Sequence, residues 1–485
     1  MSSHHQILVI GGGTAGIMVA SQLIKQKHAK DVAIIEPSST HYYQPAWTLV
    51  GAGTYDYDKT SRPMSSVMPK NATWIKDKAT GFDPENNTVH TKSSGPISYD
   101  YLVVVPGLAY DFSLVPGLGE AMDKGVVCSN YTDPRHTWDV IKNFKGGTAL
   151  FTQPTTPIKC GGAPQKIMYL AESYFRKSGV RNKTDVVFAT GGTVIFGVKE
   201  IARTLMKVVD RKDINLRFFH KLVAVDADKQ IAWYELGKDV TAGGCVVMAG
   251  EDDDRLLDES FQYNYKDVRV TVEGDRYGIH YDMLHTAPPS VAPKFVKDSV
   301  LVNEAGWLDV DHKTMQHNSY PNIFGLGDVA ALPTAKTGAA IRKQVPIVVD
   351  NIDKLIKTKS MGSKAYNGYS SCPLVTDYGK MVLAEFDYNN NFTPDPKLKQ
   401  MLVFDSSKEH WRLWMLKKIR TPLFVLEQDD ERPRRLIKTE LLLTQINPLG
   451  QKSRGFLLYV ELKKIAKKFI NKPLCNSSHS IPPSN

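Results

Sequence analysis

The stretch from Gln6 to Glu36 limits what this chain can fold into more than any other. Gln6–Ile10 is a short apolar run with β-branched residues, and it reads as a buried strand. Gly11-Gly12-Gly13-Thr14-Ala15-Gly16 follows at once and fits the G-x-G-x-x-G pattern. Ile17–Lys27 then carries a helical apolar period, and Val32–Ile35 is a second strand that ends in Glu36. In such a unit the first glycine makes the tight turn. The second lets the backbone approach a pyrophosphate, and the third lets helix and strand pack closely. Unpaired N–H groups at the helix start, with Thr14 and Ala15 in its first turn, face the phosphates. Glu36 lies 20 residues after Gly16, where a carboxylate accepts hydrogen bonds from an adenosine ribose. A ligand-free glycine turn explains the glycines alone, but not glycines, helix, second strand and acidic end together.

Composition sets the outer bounds. A length of 485 residues allows two or three domains. The net charge of +10 suits an anionic membrane surface, a nucleic acid or an anionic substrate. No nucleic-acid motif accompanies it, so no nucleic-acid partner is expected. Five cysteines are too few and too odd a number for a disulfide scaffold. No metal site is assigned. No apolar run reaches the ~18 residues of a spanning helix. Only Met1–His5 precede the first strand, so no transit peptide is visible in this chain.

Further along, Thr40-His41-Tyr42-Tyr43-Gln44-Pro45 falls just after the acidic strand end, at the carboxyl edge of a parallel sheet where ligands bind. Gln44 is the candidate contact there. Gly327-Asp328 follows the strand-like Ile323-Phe324. In a two-segment flavin domain, a returning Gly-Asp places its carboxylate on the ribityl hydroxyls; a plain turn aspartate is the other reading. Lys336 and the helix start after it together supply positive potential to a reduced, anionic flavin. A second dinucleotide site would need a second fingerprint. Asp185–Ala189 is a good strand, but Thr190-Gly191-Gly192-Thr193-Val194-Ile195-Phe196-Gly197 does not fit one. A nicotinamide cofactor is therefore not expected.

Cys160 sits in Pro157-Ile158-Lys159-Cys160-Gly161-Gly162-Ala163-Pro164-Gln165-Lys166. Pro164 suits a first helical turn. A thiol at that helix start, beside Lys159, is expected to be a good nucleophile with a lowered pKa. Cys372 sits in Tyr369-Ser370-Ser371-Cys372-Pro373-Leu374. From the residues alone, the two are either a reactive pair or unrelated buried thiols. Cys128, Cys245 and Cys475 have no comparable surroundings.

At these residues the chain resembles the sulfide:quinone oxidoreductases, of the mitochondrial type. The matching stretches are the first fingerprint, His41–Gly53, Pro157–Lys166, Val194–Lys199, Tyr320–Thr337 and Tyr369–Tyr388. The resemblance implies an α/β fold: two tandem Rossmann-like dinucleotide-binding domains with a C-terminal membrane-facing region. It divides the chain into an FAD-binding domain over 1–112 and 300–362 and a second Rossmann-like domain over 113–299. Residues 363–485 are the C-terminal region. It implies bound FAD, held through Gly11, Gly13, Thr14, Ala15, Gly16, Glu36, Gln44, Asp328 and Lys336. It also makes Cys160 and Cys372 the redox pair. Hydrogen sulfide attacks the sulfur-bridged pair to leave a persulfide on Cys372. Cys160 passes two electrons through the flavin to ubiquinone, and a small sulfur acceptor such as glutathione or sulfite removes the sulfane sulfur. The expected location is the mitochondrion, peripheral to the inner membrane. An NADH:quinone reductase of the same superfamily and a non-catalytic flavin-binding relative are the rival readings.

The chain departs from the family in three places. Extra residues fall near 235–275, including the acidic Gly250–Glu259; Pro106 stands in an unusual place; and the sequence after about Thr421 lacks the family's apolar, aromatic tail. His410–Lys418 mixes indoles and basic groups as interfacial helices do, and Leu458–Phe469 has one apolar and one lysine face. Both patterns fit a membrane surface, and the second equally fits a helix packed on the core.

Overall fold

A computed structural model describes residues 3–26, 28–237 and 267–417. The chain divides by its internal contacts into Met1–Asp430 and Glu431–Asn485, and all described residues belong to the first. The acidic Gly250–Glu259, the tail after Thr421, the Leu458–Phe469 face, Cys245 and Cys475 lie outside the described residues.

The first sheet has seven strands. Thr73–Ile75, Val32–Ile35, Ser3–Ile10 and Pro96–Val104 run parallel in that order. Ile323–Gly325 returns from late in the chain to pair in parallel with Leu102–Val104. Thr88–Thr91 and Ala79–Asp83 extend the sheet as an antiparallel meander. Ile7–Ile10 and Val32–Ile35 are buried at every position, because helices or loops cover both faces of a parallel sheet. The helices Thr14–Ile24 and Gly338–Thr358 pack against one another over this sheet.

The second sheet is five-stranded and wholly parallel, in the order Val127–Cys128, Met283–Thr286, Gly147–Gln153, Thr184–Thr190, Asn215–Arg217. Three helices serve it: Pro134–Asn143, Ala163–Ser178 and Lys199–Lys212. The first of these is started by Asp133, whose carboxylate accepts from the N–H groups of Arg135 and His136. An antiparallel sheet of His220–Asp226, Ile231–Leu236, Arg276–His280 and Val270–Glu273 adjoins it. The extra residues enter between its second strand and Val270–Glu273.

A hairpin, Ser370–Asp377 with Lys380–Phe386, follows the long helix. Its apolar residues share one core with the helix Ala163–Ser178, and this packing brings the two cysteine stretches together. The last described helix, Trp411–Met415, is short. Trp414 is buried in that core while Trp411 is exposed, so the indole-rich stretch is part core and part surface. Among the described residues, no helix is long and apolar enough to cross a membrane.

Candidate active site

Cys160 and Cys372 are 212 residues apart in sequence, yet their sulfurs lie 3.5 Å from each other. Both are free thiols. Cys372 stands in the hairpin opposite Ala384 and has no exposed surface, whereas Cys160 is half-buried. Cys160 takes a left-handed backbone, φ 50°, which turns the chain sharply into the following helix. Its N–H donates to the Lys336 carbonyl at 2.9 Å, and its own carbonyl accepts from the Ala163 N–H at 2.7 Å. Gly162 permits the close approach of the hairpin, since a Cβ there would stand 2.7 Å from the Cys372 sulfur.

The charge around the sulfurs comes from two lysines. Lys166, one turn into the helix, donates to the Cys160 sulfur at 3.0 Å. Lys417 is buried and donates to the Pro45 carbonyl at 3.4 Å. Cys160 is held well below the ordinary thiol range by the hydrogen bond from Cys372; burial opposes this, and the Lys166 ammonium adds to it. Burial pushes Lys417 down to about 8; the like charge of Lys166 adds to that shift, and the two cysteines act against it. Lys159, expected to activate the thiol, instead donates its ammonium proton to Gln44 at 3.0 Å. Lys166 and Lys417 were both within stretches singled out in the sequence, but no local signal aimed either at the sulfurs. Their roles come from packing.

The glycine loop has the form the spacing predicts. A Cβ on Gly16 would meet the Gly11 carbonyl oxygen at 1.9 Å, so helix and strand touch through the third glycine. Gly11 has φ +109° and lies against the Val105 carbonyl. Gly13 differs: a Cβ there meets no protein atom within 4 Å. The backbone of the second glycine thus faces open space at the start of Thr14–Ile24, where no side chain caps the free N–H groups. Glu36 lies beside it and accepts from the Gly12 and Ser38 N–H groups, each at 2.7 Å. His41 is buried; burial lowers its pKa against a hydrogen bond with the Gly12 backbone. The open Gly13 surface and the adjacent carboxylate fit the pyrophosphate and ribose of FAD.

Gly327-Asp328 returns to the same place, with Gly327 3.7 Å from the Ala15 side chain as measured from its ideal Cβ. Lys336 donates to the carbonyls of Asp328 (2.6 Å) and Ala330 (3.2 Å), and its ammonium sits 4.1 Å from the Trp307 ring centre. Burial pushes Lys336 down to about 8, with the Asp328 charge opposing. The sequence did not mark Trp307 as a partner, because a ring 29 residues away leaves no local trace. Cys128 is buried in the second sheet, and burial pushes its thiol up.

At the carboxyl edge of the second sheet, the loop after Thr184–Thr190 packs onto the protein core. Ile195 and Phe196 are buried, Gln165 donates to the Ile195 carbonyl at 2.6 Å, and the Phe196 ring meets Phe386 of the hairpin edge-on.

The chain is similar to known proteins over most of its length. Residues 5–140 match the family described as pyridine nucleotide-disulphide oxidoreductase. The mitochondrial sulfide:quinone oxidoreductase of Mus musculus is 40% identical over 417 residues, or 86% of this chain and 84% of that protein. The protein of the same description in Dictyostelium discoideum is 40% identical over 418 residues, covering 85% and 83%. The solved sulfide:quinone oxidoreductase of Aquifex aeolicus shares the fold, with a TM-score of 0.65 at 19% identity over 92% of this chain and 96% of that one. Identity of 40% with the first two relatives, sustained over more than four fifths of both lengths, places the chain in the sulfide:quinone oxidoreductase family.

Proposed function

We propose that this chain oxidises hydrogen sulfide to sulfane sulfur at Cys160 and Cys372 and delivers two electrons to ubiquinone, as an FAD-dependent oxidoreductase. The observation that carries the reading is the 3.5 Å approach of the two sulfurs with the Lys166 ammonium 3.0 Å from one of them. A direct disulfide bond is about 2.05 Å long. The gap therefore leaves room for one bridging sulfur atom joined by two such bonds. Hydrosulfide attacks the bridged pair on the Cys372 side. One S–S bond forms at Cys372, the S–S bond leading toward Cys160 breaks, and the released electron pair stays as an anion on the Cys160 side. Lys166 and Lys417 hold that anion, and partial exposure of Cys160 leaves a route to it. Glutathione, sulfite or a similar small nucleophile then takes the sulfane sulfur from Cys372.

FAD supplies the two-electron relay between the sulfur pair and the quinone. Gly11, Gly13, Gly16 and the N–H groups of Thr14 and Ala15 would hold its pyrophosphate, and Glu36 its ribose. Asp328 would hold the ribityl chain, and Gln44 and Lys336 would border the flavin. The lack of a second glycine fingerprint after the strand Thr184–Thr190 disfavours a nicotinamide donor.

The chain works in the mitochondrion, and we place it on the inner-membrane surface. Leu402, Phe404 and Trp411, three large apolar groups in one short stretch, are exposed by 54%, 72% and 51%. They fit a lipid surface that presents a long-tailed quinone. An anaerobic titration tests the whole reading. Sulfide should bleach the flavin absorbance and NADH should leave it unchanged. Bleaching by NADH alone would make the chain an NADH:quinone reductase, and bleaching by neither a non-catalytic flavin protein.

A further inference from the structure

The three groups around the sulfur centre arrive on three separate elements. Cys160 precedes the helix Ala163–Ser178, Cys372 belongs to the strand Ser370–Asp377, and Lys417 ends the stretch that follows Glu409. All three elements are tied to one helix end, Arg211-Lys212, at the close of Lys199–Lys212. Lys212 is 3% exposed in its side chain and donates to Glu172 at 2.8 Å and to the Ser173 hydroxyl at 2.7 Å, both on the Cys160 helix. It also reaches Asp377, at the end of the Cys372 strand, at 3.5 Å. Next to it, Arg211 holds Glu409 with two hydrogen bonds of 2.6 and 2.8 Å. Glu409 also accepts from Thr376 of the same strand at 2.5 Å. Glu172 has no exposed surface and carries Arg176 and Arg181 besides Lys212.

A buried ionic cluster of this kind is not by itself a source of stability. Removing charges from water offsets most of their attraction, and a packed apolar group at such a site is often as stable. Ionic contacts are directional, however, and they fix the relative places of the pieces they join. We propose that Arg211 and Lys212 are positioning residues for the sulfur reaction: through Glu172, Asp377, Thr376 and Glu409 they set the places of Cys160, Cys372 and Lys417 relative to one another. The proposal rests on the reading of the cysteines as the redox pair.

The test uses full-length, FAD-loaded protein. Glu409→Gln is the first variant, since it keeps shape at a partly exposed site. The measurement is the pH dependence of Cys160 alkylation by iodoacetamide in reduced protein, followed on the Cys160 peptide by mass spectrometry. The charged and titratable groups facing Cys160 are Cys372, Lys166 and Lys417. Drift of Lys417 should raise the apparent pKa of Cys160, with a loss of thiolate on the acid side. In a Lys417→Met background, Glu409→Gln should move it no further. Asp377→Asn, which releases the other arm, should slow diamide-driven closure of the Cys160–Cys372 bond several-fold. If both variants melt at lower temperature but leave the Cys160 titration and the closure rate unchanged, the cluster is merely structural and the proposal fails. Failure of the parent protein to bleach with sulfide would instead overturn the assigned function, because neither readout here needs turnover.

Discussion

A single methyl group at Gly162 puts the sulfur geometry to a direct test. Gly162 has φ −83° and ψ −1°, so alanine is free of backbone strain there and any effect is steric. Its Cβ would stand 2.7 Å from the Cys372 sulfur and 2.4 Å from a terminal carbon of Leu374. Non-bonded heavy atoms settle at about 3.5–4.0 Å, so each contact must open by about 1 Å. Leu374 can turn its branch aside. Cys372 has one side-chain torsion and no exposed surface to turn into. Either its thiol rotates away from Cys160 or the strand Ser370–Asp377 backs off. Both lengthen the 3.5 Å gap. Overpacking of this kind costs ~1–3 kcal/mol of stability. The effect on rate should be larger, because misplacement of reacting groups by about 1 Å can slow a reaction ~100-fold. The assay is kcat for sulfide-dependent quinone reduction by Gly162→Ala, with flavin content measured on the same sample. The expected result is a loss of about two orders of magnitude with flavin fully retained. Turnover within twofold of the parent would refute the argument that this spacing serves the chemistry. Loss of flavin would show that Gly162 serves the cofactor instead.

Cys160→Ser and Cys372→Ser should each abolish sulfide oxidation with FAD still bound, while Cys128→Ser stays nearly silent; near-normal turnover in either of the first two removes the sulfur relay. Lys166→Met takes a positive charge from beside a thiol whose anionic form the fold favours. Cys160 thiolate is present above its lowered pKa and lost as pH falls through it, so the acid limb of kcat should move up by about one unit; an unmoved limb would clear Lys166. Lys417 gives up its proton near pH 8, and an alkaline limb there should vanish in Lys417→Met; its persistence would assign it to another group, Lys336 being also at about 8. Gly13→Ala should fold normally, because the added methyl meets no protein atom within 4 Å, yet purify with less FAD; full flavin content would displace the pyrophosphate from this glycine. Truncation after Pro422 should weaken binding to anionic liposomes and spare reduction of a short, soluble quinone; unchanged binding leaves the exposed Phe404 and Trp411 as the anchor.

The parts of this fold that were legible in the sequence are those whose cause is local. The glycine loop declares itself because its turn, its close helix contact and its acidic end all fall within one strand–helix–strand unit. Gly16 against the Gly11 carbonyl is that local cause seen directly. The sulfur pair was legible only through resemblance to a family, since nothing near Cys160 specifies a partner 212 residues on. Lysine assignments suffered most. Lys159 adjoins Cys160 in sequence, but the left-handed turn at Cys160 sends their side chains apart and Lys159 goes to Gln44. Lys166 reaches back by one helical turn and takes its place. Lys417 lies in a run that reads as interfacial, yet it is buried because Leu413 and Trp414, a turn earlier, pack into the hairpin core. Periodicity reports that a face is apolar. It does not report whether lipid or protein covers that face.

The hydrogen bond from the Cys160 N–H to the Lys336 carbonyl joins two stretches that otherwise serve different sheets. Lys159 and Lys336 pair there as a one-residue parallel bridge, so the loop that carries Cys160 is stitched by main chain to the segment that carries Gly327-Asp328 and Lys336. Such a junction sets the spacing of the two stretches where they meet. Any movement that parts Cys160 from Lys336 would have to break this bond first, and the sulfur would lose its place in the same movement.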